Sequence, residues 1–331
     1  MQAQPLIEVW RGDLLECLHV GHAVVCNSDG EVVQSWGDPG ALIYPRSACK
    51  MIQALPLIES GAADAVGLTS EQLALSCASH IASDIHTSRV SRWLADLGLG
   101  ESDLRCGNQE PGDIDARDVL IRKGEQPCQI HNNCSGKHSG FLTYSRHVNA
   151  GPEYVEVDHP LQIAVRAAFE ETTGETSPCF GIDGCSAPNF ATSVTGLARA
   201  MAKFATAGNR GGTRDQAMTR LVAAMMKHPE LISGEGKACT ELMRAAQGKA
   251  AIKGGADGVY TAILPREGLG VALKIVDGNG AAREGAIAAL LIHLGVLQAG
   301  DPIAAQWINR KMTNRRGLTT GILRAAPGFP A

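Results

Sequence analysis

The sequence predicts an α+β fold, in which an antiparallel sheet formed from N- and C-terminal strands is sandwiched by helices. Two observations carry this. Strand-like runs stand near both ends of the chain, His22–Cys26 and Glu31–Trp36 early, Gly258–Leu264 and Gly270–Val276 late. Between them apolar residues recur at helical spacing in segment after segment, with no alternation of single strands and helices of the kind that builds a parallel sheet.

The early runs flank Asn27-Ser28-Asp29-Gly30, whose Asp-Gly step favours a tight hairpin turn. Helical spacing then predicts a helix over Ser47–Ile58, with Pro56 as a break, and further helices over Glu71–Cys77, Thr87–Leu97, Pro160–Thr172, Thr192–Ala207, Asp215–Lys227, Gly236–Gln247 and Arg283–Leu297. Asp158 and Pro160 mark the start of one of these, and Gly174 its end. The late strands are joined by Pro265-Arg266-Glu267-Gly268 and closed by Asp277-Gly278-Asn279-Gly280. Residues 318–331 read as a flexible tail. The whole, 1–331, reads as one domain with a helical middle over about 45–250.

At 331 residues, with 44% hydrophobic and 19% charged residues, the chain has ample material for a core and lies far from disorder. Its net charge of −4, with no dense basic block, argues against nucleic acid as the main partner. The most apolar segment, 286–297, is shorter than the roughly 20 residues that span a bilayer, which argues against a membrane. Glu8, Asp13 and Glu16 lie where a secretory signal needs a basic start and an apolar run. The expected location is therefore the cytoplasm, with the ten cysteines reduced.

Five segments carry candidate chemistry. In Arg46-Ser47-Ala48-Cys49-Lys50, a helical turn would bring the Ser47 hydroxyl to the Lys50 amine, which can accept its proton once burial or the neighbouring Arg46 lowers its pKa. Late in the chain, Lys253-Gly254-Gly255 precedes a strand, in the order of the Ser-x-x-Lys and Lys-Thr-Gly pair of penicillin-recognising acyl-transferases, with Gly in place of Thr. Cys77-Ala78-Ser79-His80 ends an apolar helical run and offers a second hydroxyl. Finally, 132–138 (N-N-C-S-G-K-H) and 181–189 (G-I-D-G-C-S-A-P-N) are glycine-punctuated and bear soft ligands. By ligand preference alone, Cys134, His138 and Cys185 would make a zinc site with one open position, against the alternative of two buried free thiols.

The motifs Y-P-R-S-A-C-K, C-A-S-H, L-R-C-G, N-N-C-S-G-K-H-S-G, H-P-L-Q, G-I-D-G-C-S-A-P, K-H-P-E-L-I-S-G-E-G and K-G-G-A-D-G-V-Y, spread over about 40–280, resemble those of the Rhizobium etli-type L-asparaginases. The resemblance implies a serine β-lactamase/glutaminase-like fold, a homodimer, and hydrolysis of L-asparagine to L-aspartate and ammonia. It implies two Ser-Lys tandems, Ser47 with Lys50 and Ser79 with Lys253, and a zinc held by Cys134, Lys137 and Cys185, so that Lys137 takes the place of His138. Arg46, His80 and Asp183 then fall in the substrate-binding region, Asp183 as a partner for the α-ammonium group or a guide for a ligand. The mechanism this implies is acyl transfer, with Ser47 as nucleophile and Lys50 as base. The rivals are a β-lactamase- or peptidase-like serine acyl-transferase and a non-catalytic zinc or amino-acid sensor.

Overall fold

We describe a computed structural model that covers residues 2–330. The chain forms two compact units: one holds the described residues up to 48 together with 192–206 and those from 241 onward, the other 49–191 and 207–240.

The first unit is built on an antiparallel sheet of eight strands: β1 Gln4–Arg11, β2 Leu14–Cys26, β3 Val32–Trp36, β4 Ala251–Gly254, β5 Val259–Leu264, β6 Leu269–Ile275, β7 Arg310–Thr313 and β8 Thr319–Ala325. The order across the sheet is β7-β8-β1-β2-β6-β5-β4, with β3 also pairing β2. N- and C-terminal strands thus interleave, as the distribution of β-rich runs predicts. The β2–β3 turn is closed by Asn27, whose Oδ1 accepts from the N–H groups of Asp29 and Glu31, and Gly30 takes the left-handed φ of +81°. Helix Val194–Thr206 lies so close to β6 that a Cβ on Gly270 would meet Ala202 N at 2.0 Å. Helix Gly280–His293 packs through Gly285 on Leu323 and Ile7. Strand alternation puts Gly270 and the Leu273 row on opposite faces, so the sheet carries a helix on each side.

Of the tail 318–331 that is expected to be flexible, residue 331 lies outside the described residues and the rest is instead largely structural: β8 pairs with β1 from Ile7↔Ala325 to Arg11↔Gly321, and Leu323, Ala326 and Phe329 are buried. The cue is faint because Gly321 interrupts the strand pattern. It is there because a side chain would collide with the Trp10 carbonyl.

The second unit is helical. The predicted helix over 47–58 is broken into a 3₁₀ turn (Arg46–Cys49), most of which belongs to the first unit, and two short helices, Lys50–Gln53 and Leu55–Glu59, with Pro56 in the first turn of the second rather than at the break. Helix Pro160–Thr173 ends at left-handed Gly174 as predicted, but its start is capped by His159 Nδ1 rather than by Asp158. At the centre stands helix Ser135–His147, in which Ser135 through Thr143 are all buried. Apolar periodicity misses it because Ser135, Lys137, His138, Ser139 and Thr143 occupy core positions, where Ser139 Oγ bonds Ser135 O and Thr143 Oγ1 bonds Ser139 O. A Cβ on Gly136 would approach the Leu75 carbonyl to 2.5 Å. Gly136→Ala should therefore destabilise the chain by about 1–3 kcal/mol, since the ~1 kcal/mol of helix propensity it gains is smaller than the overpacking it imposes. The urea midpoint should fall; a rise would show that Leu75 yields freely.

Candidate active site

Lys50 begins its short helix fully buried, at 1% exposure. Its Nζ donates to Ala78 O, to Ser79 Oγ at 3.0 Å and to Cys134 Sγ at 3.1 Å. Ser79 is held from behind by its N–H on Ile232 O at 2.8 Å. His80 N–H donates to Asn133 O, which joins the segment bearing Ser79 to the one bearing Cys134. Both ring nitrogens of His80 are spent inside the protein: Nδ1 accepts from Ala82 N–H, so Nε2 carries the proton and donates to Ser135 Oγ at 2.9 Å, whose hydroxyl passes on to Ile130 O. Burial holds this ring well below its ordinary pKa and hence neutral.

Beside Lys50 lies a cluster of soft donors. Cys134, Lys137 and Cys185 are each no more than 4% exposed. The Cys134 thiol faces Asn133 Oδ1 at 2.9 Å and the Cys185 sulfur, and Lys137 Nζ donates to Cys185 Sγ at 3.1 Å. A proton shared by the two sulfurs belongs to Cys134, which is pushed well up, while the hydrogen bond from Cys134 and the charge of Lys137 hold Cys185 well down as a thiolate. Burial alone would lower Lys137, but the two sulfurs outweigh it and hold the amine protonated. His138 bonds Tyr154 OH through Nδ1 at 2.9 Å, whereas its buried Nε2 has no hydrogen-bond partner, and burial pulls the ring down to about 4. Cys49 and Cys106, also buried, are pushed up to about 12 by desolvation and are inert by comparison.

The donor set fits zinc. Two thiols and an amine converge in a dry site, and the 3.1 Å between Lys137 Nζ and Cys185 Sγ is a little under the roughly 3.5 Å edge of a tetrahedral Zn–S,N site. Among the described residues no three His, Cys, Asp or Glu side chains group to hold an ion, so the cluster depends on the lysine. The proton on Lys137 is one that a metal would have to displace. Cys185 is presented by the tip of a small hairpin, Phe180–Ile182 paired with Pro188–Phe190, closed by Asp183 N–H on Ala187 O. Asp183, half-buried in the same tip, accepts from Gly184 N–H and sends its charge toward Lys137.

In the first unit, Ser47 sits in the 3₁₀ turn that the Ala48 N–H closes onto Pro45 O. Lys253 lies near the end of β4 at 1% exposure and donates to Gly254 O at 2.8 Å. Thr261 on β5 ties turn and strand together, its Oγ1 being 3.1 Å from Ala48 O and 3.2 Å from Lys253 O. Gly255 completes the approach: a Cβ there would stand 2.7 Å from Pro45 O. The arrangement thus joins Lys50 to Ser79 in one unit, and in the other the turn of Ser47 to the strand end of Lys253. Arg46 is engaged by Asp257. Sequence reasoning passed over Thr261, Asn133 and Asp257; the available signal was a polar side chain in a strand, β5, that is buried throughout.

The model of the L-asparaginase II family matches residues 7–325. The chain belongs to the L-asparaginase II family. As an L-asparaginase it is a hydrolase acting on amides, with asparagine as substrate. No curated protein matches it significantly. Among solved structures it is similar to Mglu in its native form, at 14% identity and a TM-score of 0.50 over 89% of this chain and 69% of that one. It is similar also to Mglu in its tris and glutamate form, at the same identity and TM-score, over 89% of this chain and 64% of that one. A β-lactamase from Mycobacterium bovis aligns at 14% identity and a TM-score of 0.47, over 84% of this chain and 95% of that one. This L-asparaginase thus spans about two thirds of the Mglu chain and shares its fold. Among its described residues no helix is long and apolar enough to cross a membrane.

Proposed function

We propose that this L-asparaginase is a zinc enzyme of the Rhizobium etli type, cytoplasmic and homodimeric, that works by acyl transfer through serine and lysine. The observation that carries the reading is the buried Lys50 Nζ, 3.0 Å from Ser79 Oγ and 3.1 Å from Cys134 Sγ, which couples a serine–lysine pair to the donor cluster.

In this reading Ser47 attacks the side-chain carbonyl carbon of asparagine. A carbon–oxygen bond forms, the carbon–nitrogen bond breaks, and the nitrogen leaves as ammonia with the proton the hydroxyl gave up. Water then adds to the aspartyl ester, releasing L-aspartate and restoring the hydroxyl. Lys50 is the base, Ser79 its hydrogen-bonded relay toward the leaving nitrogen, and Lys253 supports the charge that develops. Backbone N–H groups around Ser47 stabilise the oxyanion. Cys134, Lys137 and Cys185 would hold the metal, with Asp183 at the α-ammonium group. A zinc ion there supplies Lewis acidity and a fixed point for substrate, while the nucleophile comes from the serines.

The direct test is ammonia release from asparagine, run beside glutamine and a chromogenic β-lactam. Release from asparagine with no β-lactam turnover supports the reading, and silence toward asparagine overturns it. Stripping the metal with a chelator should raise KM several-fold while kcat falls less, because the metal serves binding. Loss of turnover at saturating asparagine, with the circular dichroism unchanged, would move the metal into the chemical step.

A further inference from the structure

Two residues of the first unit, Arg46 and Asp257, hold a left-handed backbone, each at φ +52°, and neither is glycine. They are ion-paired to one another. Left-handed φ is unfavourable for a long side chain such as arginine, and such conformations persist where surrounding contacts fix them. Those contacts converge on the Asp257 loop. Lys274 Nζ donates to Asp257 O, Gly255 N–H bonds Val259 O at 2.9 Å, and Gly258, at φ +80°, would place a Cβ only 2.5 Å from Ile275 O. The loop is thus anchored to β5 and β6, and its carboxylate reaches out to the residue directly before Ser47.

The orientation of the peptide between residues 46 and 47 is fixed by the backbone angles on either side of it. Holding Arg46 left-handed therefore helps fix how the 46–47 peptide, and with it Ser47 and its N–H, is oriented relative to the strands on which the Asp257 loop is anchored. We propose that Asp257 is a positioning residue that acts through Arg46 to aim the Ser47 N–H, the donor to the oxyanion, and to set the angle from which its hydroxyl attacks. The inference rests on Ser47 as the nucleophile and goes beyond it, because it assigns a role to a carboxylate that does not touch substrate. Its contribution is geometric: the Arg46 side chain is 26% exposed and that of Asp257 64%, so the pair is a weak source of fold stability.

The test is Asp257→Asn, which keeps a residue tolerant of positive φ and removes the charge. We expect kcat to fall about tenfold, as for a misaimed oxyanion donor, with KM within twofold and the thermal midpoint within a few degrees. Asp257→Gly, which relaxes the loop backbone and also deletes the carboxylate, must show the same loss. Arg46→Gln should match it, and combining Arg46→Gln with Asp257→Asn should cost no more than either change alone, since both break one contact. Unchanged kcat in Asp257→Asn or Asp257→Gly overturns the proposal, as does a rise in KM with kcat intact, which would put the pair on the substrate. Ser47→Ala, measured in parallel, separates the two levels. If that variant stays active, the nucleophile assignment falls and the positioning role falls with it. If it is dead while the Asp257 variants match wild type, only the positioning role falls.

Discussion

Replacing Ser47 by alanine should lower kcat by about 10⁴-fold or more, because a nucleophile and its base act as a unit and little chemistry remains once the unit is broken. Binding should survive, since the donor cluster and Asp183 lie on other segments, so KM should move by only a few-fold. Fold stability should be nearly unchanged: Ser47 is only partly buried, in a turn closed by backbone atoms. The measurement is steady-state ammonia release beside a urea titration. Retention of a tenth of wild-type turnover would transfer the nucleophile to Ser79, whose hydroxyl is the one that meets Lys50.

Lys50→Met should be nearly as damaging and differ in kind. The methionine fills similar space without a donor, so Ala78 O, Ser79 Oγ and Cys134 Sγ each lose a hydrogen bond. Loss of the general base should cost about 10²–10⁴-fold in kcat. Unpaired buried acceptors add a destabilisation of about 1–3 kcal/mol, which Ser47→Ala does not share. Because Lys50 also touches Cys134, a donor of the proposed zinc site, zinc bound per chain should fall in this variant and hold in Ser47→Ala. Equal zinc content in the two would show that the Lys50–Cys134 contact is incidental.

Much of the fold is legible in the sequence wherever burial follows a simple period. The β2–β3 hairpin announces itself by an Asn-to-Gly turn, and helix Pro160–Thr173 by a proline at its first position and a glycine just past its end. Legibility fails where polar groups are buried. Helix Ser135–His147 has the right length but hides serine, threonine, lysine and histidine in the core, so no apolar stripe marks it. It fails too at β8, where glycine is required by a neighbouring backbone rather than by a turn. For the site, residue types and motifs point to the serines, lysines and cysteines one by one. Which lysine meets which serine depends on the path of the chain between them: a three-residue spacing suggests Ser47 with Lys50, while the folded chain turns the Lys50 amine toward Ser79.

The donor cluster is mounted unequally. Cys134 and Lys137 stand at the start of a helix wedged against Leu75 with no room for a methyl group at Gly136, whereas Cys185 rides the tip of a hairpin whose strands are three residues each. One wall is rigid and the other is an arm. Exchanges at the exposed positions 182 and 184 beside Cys185 are therefore the ones the scaffold can absorb, whereas Gly136 between Cys134 and Lys137 has no room for a side chain. A laboratory seeking an asparagine-selective catalyst from this chain should begin at those two exposed positions of the arm.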